Sequence, residues 1–237
     1  MFVPLHDTNP LKKIRFQYVT VGLIVLNVAI YVIFQTGWFI SLGEENISEF
    51  AVVPAKLMAS AGGTTAFFAT GAVMVPERLT LITYMFLHGG LLHLIGNMLF
   101  LWVFGDNVED AMGHGRFLMF YLMCGIFAGL THTAIQPNSG VPLVGASGAV
   151  AGVVAAYLML HPRVKIWVLV LFRIPLRVNA AWALGFWVGL QFFNVLMAGK
   201  NDVAWWAHVG GLVSGAVLIL FMRRRGVVLF DQTRGGA

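Results

Sequence analysis

One cysteine, Cys124, occurs in the 237 residues. A lone thiol rules out an intrachain disulfide and a C-x-x-C metal site, so packing alone must hold the fold. Charge is scarce as well: Asp, Glu, Lys and Arg make up 11% of the chain, against roughly a quarter in a soluble globular domain. The first long apolar run has a basic segment ahead of it but no small-residue cleavage site behind it, which points to a retained anchor and not a removed leader. No tandem repeat or low-complexity tract breaks the chain, and no organelle-type transit segment is visible at its amino end.

What is abundant is apolar sequence. Hydrophobic residues make up 59% of the chain, and the mean hydropathy is +0.82. Apolar stretches recur near the ~20 residues that cross ~30 Å of hydrocarbon. They predict an all-α membrane protein with six transmembrane helices, near 17–38, 83–104, 117–135, 143–160, 178–197 and 204–222. These form one membrane domain over 17–222, between an amino-terminal segment, 1–16, and a tail, 223–237. The net charge of +5 does not suggest nucleic acid, because the basic residues flank apolar runs as orientation signals. Lys12, Lys13 and Arg15, then Arg116, then Arg163, Lys165, Arg173 and Arg177, and finally Arg223, Arg224 and Arg225 all fall on one side. That side is the cytoplasmic one, so both termini are expected inside, which suits a bacterial inner membrane. The connections 41–82, 136–142 and 198–203 go outside. Segment 50–75, with Lys56, is read as interfacial and not as a seventh span, and 164–172 is too short to cross and lies at the cytoplasmic surface. Asp106, Glu109 and Asp110 read as loop and capping residues at a cytoplasmic helix end.

A polar side chain in hydrocarbon is expensive, so each one inside a span is a functional candidate. Ser147 lies in Gly145-Ala146-Ser147-Gly148 at the mouth of the fourth run. Flanking glycines permit a sharp turn and close approach of another chain, and the N–H groups of a helix start can bind a developing oxyanion. The alternative is that Gly and Ser serve only close helix packing. His208 shares a helix face with Gly211 and Gly215, and Gly148 with Gly152 forms a matching face. Two such helices can approach until Ser147 and His208 meet as nucleophile and general base. Asp202 lies off the histidine's face, so a dyad is expected, with the tautomer left to packing or a backbone group. His93 and Asn97, at i and i+4, point the same way. They are either donors for a tetrahedral oxygen or a polar pair bridging helices. His88 reads as a loop organiser at the membrane surface.

The string from His88-Gly89-Gly90 through His93 to Asn97, then Gly145-Ala146-Ser147-Gly148, then Ala207-His208 with Gly211 and Gly215, resembles the rhomboid family of intramembrane serine proteases. The likeness runs from the second span to the sixth and includes Phe104-Gly105-Asp106-Asn107-Val108-Glu109-Asp110. It implies a rhomboid-like bundle and a serine endopeptidase acting on transmembrane segments of single-span proteins within the lipid bilayer. Ser147 is the implied nucleophile and His208 the implied base. His93, Asn97 and the Ser147 backbone amide are the implied oxyanion hole. Water is expected from the non-cytoplasmic face. A substrate helix is expected to pass laterally near the second and fifth spans, where Trp182 and Phe186 are candidate gate residues. No metal or organic cofactor is implied. Two features depart from some family members. Arg78 follows Glu77 where a Trp-Arg pair is found, and Ala151 stands where a tyrosine stacks on the histidine, so His208 must be held by other contacts.

Other classes fit less well. A zinc peptidase needs His-Glu-x-x-His, which is absent. An aspartyl enzyme needs two embedded aspartates, and a transporter needs an acidic residue in a span. A catalytically silent relative that binds transmembrane helices would be expected to lose the nucleophile or the base, and this chain retains both.

Overall fold

A computed structural model describes residues 2–39, 48–61, 75–170, 173–197 and 205–231. Connection 198–203 with Asp202, half of segment 50–75 and the end of the tail lie outside these residues. In chain order the elements are β1 (Phe2–Asp7), α1 (Tyr18–Ile30, continued by a π turn over Tyr31–Gln35), α2 (Pro54–Ala61), α3 (Glu77–Thr83) and α4 (Leu91–Met112). They continue with α5 (His114–Ile135), α6 (Ser147–Leu160), a hairpin of β2 (Lys165–Val170) and β3 (Ile174–Asn179), α7 (Ala180–Met197) and α8 (Trp205–Met222).

The centre of the bundle is α6. Every residue from Gly148 to Tyr157 is buried, as expected of a helix that is apolar on all sides. It is enclosed by α4, α5 and α8. Four helices among the described residues are long and apolar enough to cross a bilayer: Tyr18–Gln35, Leu91–Met112, His114–Ile135 and Trp205–Met222. The apolar stretches Ser147–Leu160 and Ala180–Phe193 are shorter. At about 1.5 Å per residue α6 is only roughly 21 Å long. Its surroundings are protein and not lipid, so nothing requires it to match the hydrocarbon thickness.

Three expectations need correction. The second predicted span, 83–104, starts too early. Tyr84–Phe86 forms a 3-10 turn, Leu87 is extended, and the helix begins at Leu91. Tyr84 and Met85 are apolar because they are buried in protein, a cause that hydropathy cannot separate from lipid exposure.

The acidic residues are therefore inside the last two turns of α4 and not in a loop beyond it. Glu109 accepts from the Val19 and Thr20 N–H groups at 3.0 and 2.8 Å and so caps α1. Asp110 accepts from the N–H groups of Lys12, Lys13 and Ile14 at 3.1, 2.6 and 2.6 Å. Orphan amides at a helix start favour a carboxylate for both hydrogen-bonding and dipole reasons. The capping part of the expectation holds, although the helix capped is α1.

The fold is mostly helical but not all-α. β1, β2 and β3 form an antiparallel sheet in that order, with Val3 opposite Leu169 and Trp167 opposite Arg177. Ile166 and Val168 are buried while Lys165 and Trp167 face out, the two-residue alternation of a half-buried strand. The described part of segment 164–172 is therefore strand. Asp7 at the end of β1 accepts from the Tyr157 hydroxyl at 2.6 Å, which ties the sheet to the far end of α6. Burial raises the Asp7 carboxyl above its ordinary 3.8.

Candidate active site

Ser147 is the first residue of α6, so its N–H belongs to the turn that has no partner within the helix. The loop that delivers it is fixed by main-chain bonds. Val52 and Leu143 exchange N–H to carbonyl bonds of 3.2 and 2.8 Å, and Gly145 donates to the Tyr84 carbonyl at 2.9 Å. Gly145 has φ +123°, and a Cβ there would lie 2.7 Å from the His93 ring. Only glycine combines that backbone angle with the imidazole packed beside it.

The α6–α8 contact is backbone on backbone. A Cβ on Gly211 would run into the Gly148 carbonyl oxygen, and one on Gly215 would run into the backbone of Gly152. Pairing 148 with 211 and 152 with 215 makes the helices parallel and in step. Ser147 and His208, near the same ends, meet as a consequence: Ser147 Oγ lies 2.8 Å from His208 Nε2. Both are half-buried.

The other imidazole nitrogen, Nδ1, lies 2.8 Å from Gln191 Oε1 on α7. The sequence points to packing or a backbone group for tautomer control, whereas a side-chain amide, that of Gln191, stands beside Nδ1. The rule that a polar residue inside a span needs a named partner would have found it. Trp187 stacks on His208 at 6.4 Å and 30°, and Trp205 meets it edge-on at 5.6 Å. Ala151 is buried with Ala155 and Leu212, and Trp187 packs on that cluster. The aromatic partner absent from α6 is thus supplied from α7.

On α4, Gly89 N–H donates to His93 Nδ1 at 3.4 Å. With Nδ1 as acceptor, Nε2 carries the proton on the ring edge nearest Gly145. Asn97 is buried on the same helix face, and its Nδ2 has no hydrogen-bond partner among the described residues. His88 is buried just before α4. Its backbone is clamped by Gln35, which accepts from its N–H at 3.0 Å and donates to its carbonyl at 2.9 Å.

His93 is exposed at the start of α4, and α7 meets α4 through Trp187 against Phe100 at 5.5 Å. Trp182 and Phe186 are exposed on α7, at 77% and 61%. Among the described residues no group of three or more His, Cys, Asp and Glu side chains could hold a metal ion.

The chain is similar in sequence to several known proteins. Rhomboid protease GluP of Bacillus subtilis (strain 168) is 34% identical over 135 residues, 57% of this chain and 24% of its own length. RHOMBOID-like protein 6, mitochondrial, of Arabidopsis thaliana is 31% identical over 166 residues, 68% of this chain and 46% of its own. RHOMBOID-like protein 1 of the same plant is 27% identical over 236 residues, 93% of this chain and 57% of its own. The chain thus spans between about a quarter and somewhat over half of these relatives. The family model of the Rhomboid domain matches residues 75–225, the stretch that holds Ser147, His208, His93 and Asn97. This chain belongs to the rhomboid family.

Proposed function

We propose that the chain is an intramembrane serine endopeptidase that cleaves transmembrane segments of single-span membrane proteins through an acyl-enzyme. The observation that carries this reading is the 2.8 Å approach of Ser147 Oγ to His208 Nε2, within the range for a nucleophile and its base. His208 Nε2 takes the hydroxyl proton as Oγ bonds to the peptide carbonyl carbon. The C–N bond then breaks, and Nε2 returns that proton to the leaving amine. A water molecule attacks the acyl-enzyme, loses a proton to Nε2, and releases the acid as Oγ is reprotonated.

The Ser147 N–H, His93 Nε2–H and Asn97 Nδ2 supply the oxyanion hole. One such donor contributes on the order of 3 kcal/mol to the transition state. The orphan Asn97 donor favours this role over a bridge between helices. The proposed frame has six spans, with α6 and α7 completing the four longer helices, a membrane domain over 17–222, and both termini on the cytoplasmic side of a bacterial inner membrane. Water comes from the opposite face, and substrate passes between α4 and α7, past Trp182 and Phe186.

A catalytically silent family member that binds helices is the second reading. Retention of the nucleophile and base in bonding contact speaks against it, and the name of the Bacillus relative favours proteolysis. A helical substrate hides its carbonyl carbons, so it must unwind before attack. The test is cleavage of single-span substrates in proteoliposomes. Gly or Pro near the cut should accelerate cleavage over Leu or Ala, because these residues weaken a helix by about 1 and about 3 kcal/mol, and Ser147→Ala should abolish it. Rates indifferent to helix stability, or cleavage that survives Ser147→Ala, would contradict the proposal.

A further inference from the structure

Gln191 holds two bonds at once. Its Nε2 donates to the Trp187 carbonyl at 3.1 Å, one turn back on α7, while its Oε1 faces His208 Nδ1 at 2.8 Å. The first bond fixes the orientation of the amide, because only the NH2 end can donate to a carbonyl. The oxygen is therefore the atom presented to His208, and an oxygen accepts. His208 must carry its proton on Nδ1, which leaves Nε2 bare, and Nε2 is the atom that faces the Ser147 hydroxyl at 2.8 Å. Gln191 is 4% exposed, so water does not compete freely for its oxygen. Trp187, one turn away, stacks on the same ring.

We propose that Gln191 is a positioning residue for His208, selecting the tautomer in which Nε2 can accept the serine proton, and that Trp187 fixes the plane of the ring. This deepens the protease reading and rests on it. Both residues belong to α7, which also carries the gate candidates. The base is therefore in register only while α7 lies against α8, and the Gln191 oxygen steadies the imidazolium formed as the serine attacks. The other titratable groups near His208 are His93 on α4 and His132 on α5. Neither is bonded to Nδ1, so neither substitutes for the amide.

The test compares the parent chain, Gln191→Leu and Gln191→Glu in detergent micelles, with melting temperature as the check on folding. Leu keeps the volume and removes the acceptor, whereas Glu keeps the acceptor and adds charge. Labelling of Ser147 by a serine-reactive fluorophosphonate should slow about 10- to 100-fold in Gln191→Leu, less than the roughly 100- to 10,000-fold that the positioned base itself contributes. It should recover in Gln191→Glu with the acid limb of its pH–rate profile moved to higher pH, because a carboxylate favours the imidazolium. Nitrogen NMR of His208 should report a protonated Nδ1 in the parent and loss of that preference in Gln191→Leu. A folded Gln191→Leu that labels at the parent rate with an unchanged profile, or a parent with bare Nδ1, overturns the assignment. The NMR measurement needs no turnover. A parent that neither labels nor cleaves would therefore defeat the protease reading, while the tautomer would still decide the role of Gln191.

Discussion

At His88, burial, with the His93 imidazole beside it, lowers the pKa from 6.5 to about 4. Between these values the unfolded chain binds a proton that the folded chain does not, so stability falls as pH drops through the window. The melting temperature in detergent should decline from pH 7 toward 4, with a shallower slope in His88→Gln. Equal slopes would show that another group carries the effect. Residues also differ in how openly the sequence announces them. Ser147 and His208 were legible because each sits on a glycine-marked helix face, so local spacing encodes the meeting. Gln191 carries no such spacing signature; only its being an amide inside an apolar span marks it, and its partner 17 positions away on another helix is seen only in the fold. The loss of a stacking partner at Ala151 was visible from sequence, but its replacement by Trp187 was not. That substitution depends on how α7 leans over α6.

Among the elements, α6 and α8 form the contact on which the site rests. Gly148 and Gly152 meet Gly211 and Gly215 with main chain against main chain, so a methyl at Gly211 has no flexible neighbour to displace. Gly211→Ala should destabilise by about 1–3 kcal/mol, the usual effect of overpacking, and should lower activity more than His88→Gln does by parting Ser147 from His208. Thermal melting and substrate cleavage measured on the same preparations check this. A variant with parent stability and rate would show that the helices can separate without consequence.

Elements were also where sequence reading was least reliable. Hydropathy located α1, α5, α7 and α8 within a few residues. It displaced α4, because residues 83–90 are apolar for protein burial and the acidic end of the helix is polar for capping. The sheet was missed because β1 pairs with β2 across most of the chain, although the alternation in Lys165-Ile166-Trp167-Val168 was readable as strand.

At the scale of the whole molecule, polarity is concentrated at two ends. One end holds Ser147, His208, His93 and Asn97. The other, roughly 15 Å along α6 from Ser147 to Tyr157 at about 1.5 Å per residue, holds Asp7, Asn9, Asn107, Glu109 and Asp110, all buried, with the Asn9 side chain bonded to that of Asn107. The basic residues cluster at this second end, and Arg224 N–H donates to the Ala111 carbonyl at 2.8 Å. In the proposed topology, which follows the positive-inside rule, that end is cytoplasmic and the site lies near the opposite face. In a Cys124→Ala background, the exposed positions Asn138 and Arg225, each replaced by cysteine in turn, should react with an impermeant maleimide from opposite sides of the membrane. Reaction from the same side would overturn the topology and, with it, the route for water.

The central claim is that Ser147 is a nucleophile activated by His208. The most direct measurement is mass-spectrometric mapping of the fluorophosphonate adduct on the purified chain. A single adduct on Ser147, absent in Ser147→Ala and slowed at least about 100-fold in His208→Ala, is the predicted result. Equal labelling of all three proteins, or an adduct on another residue, would contradict it.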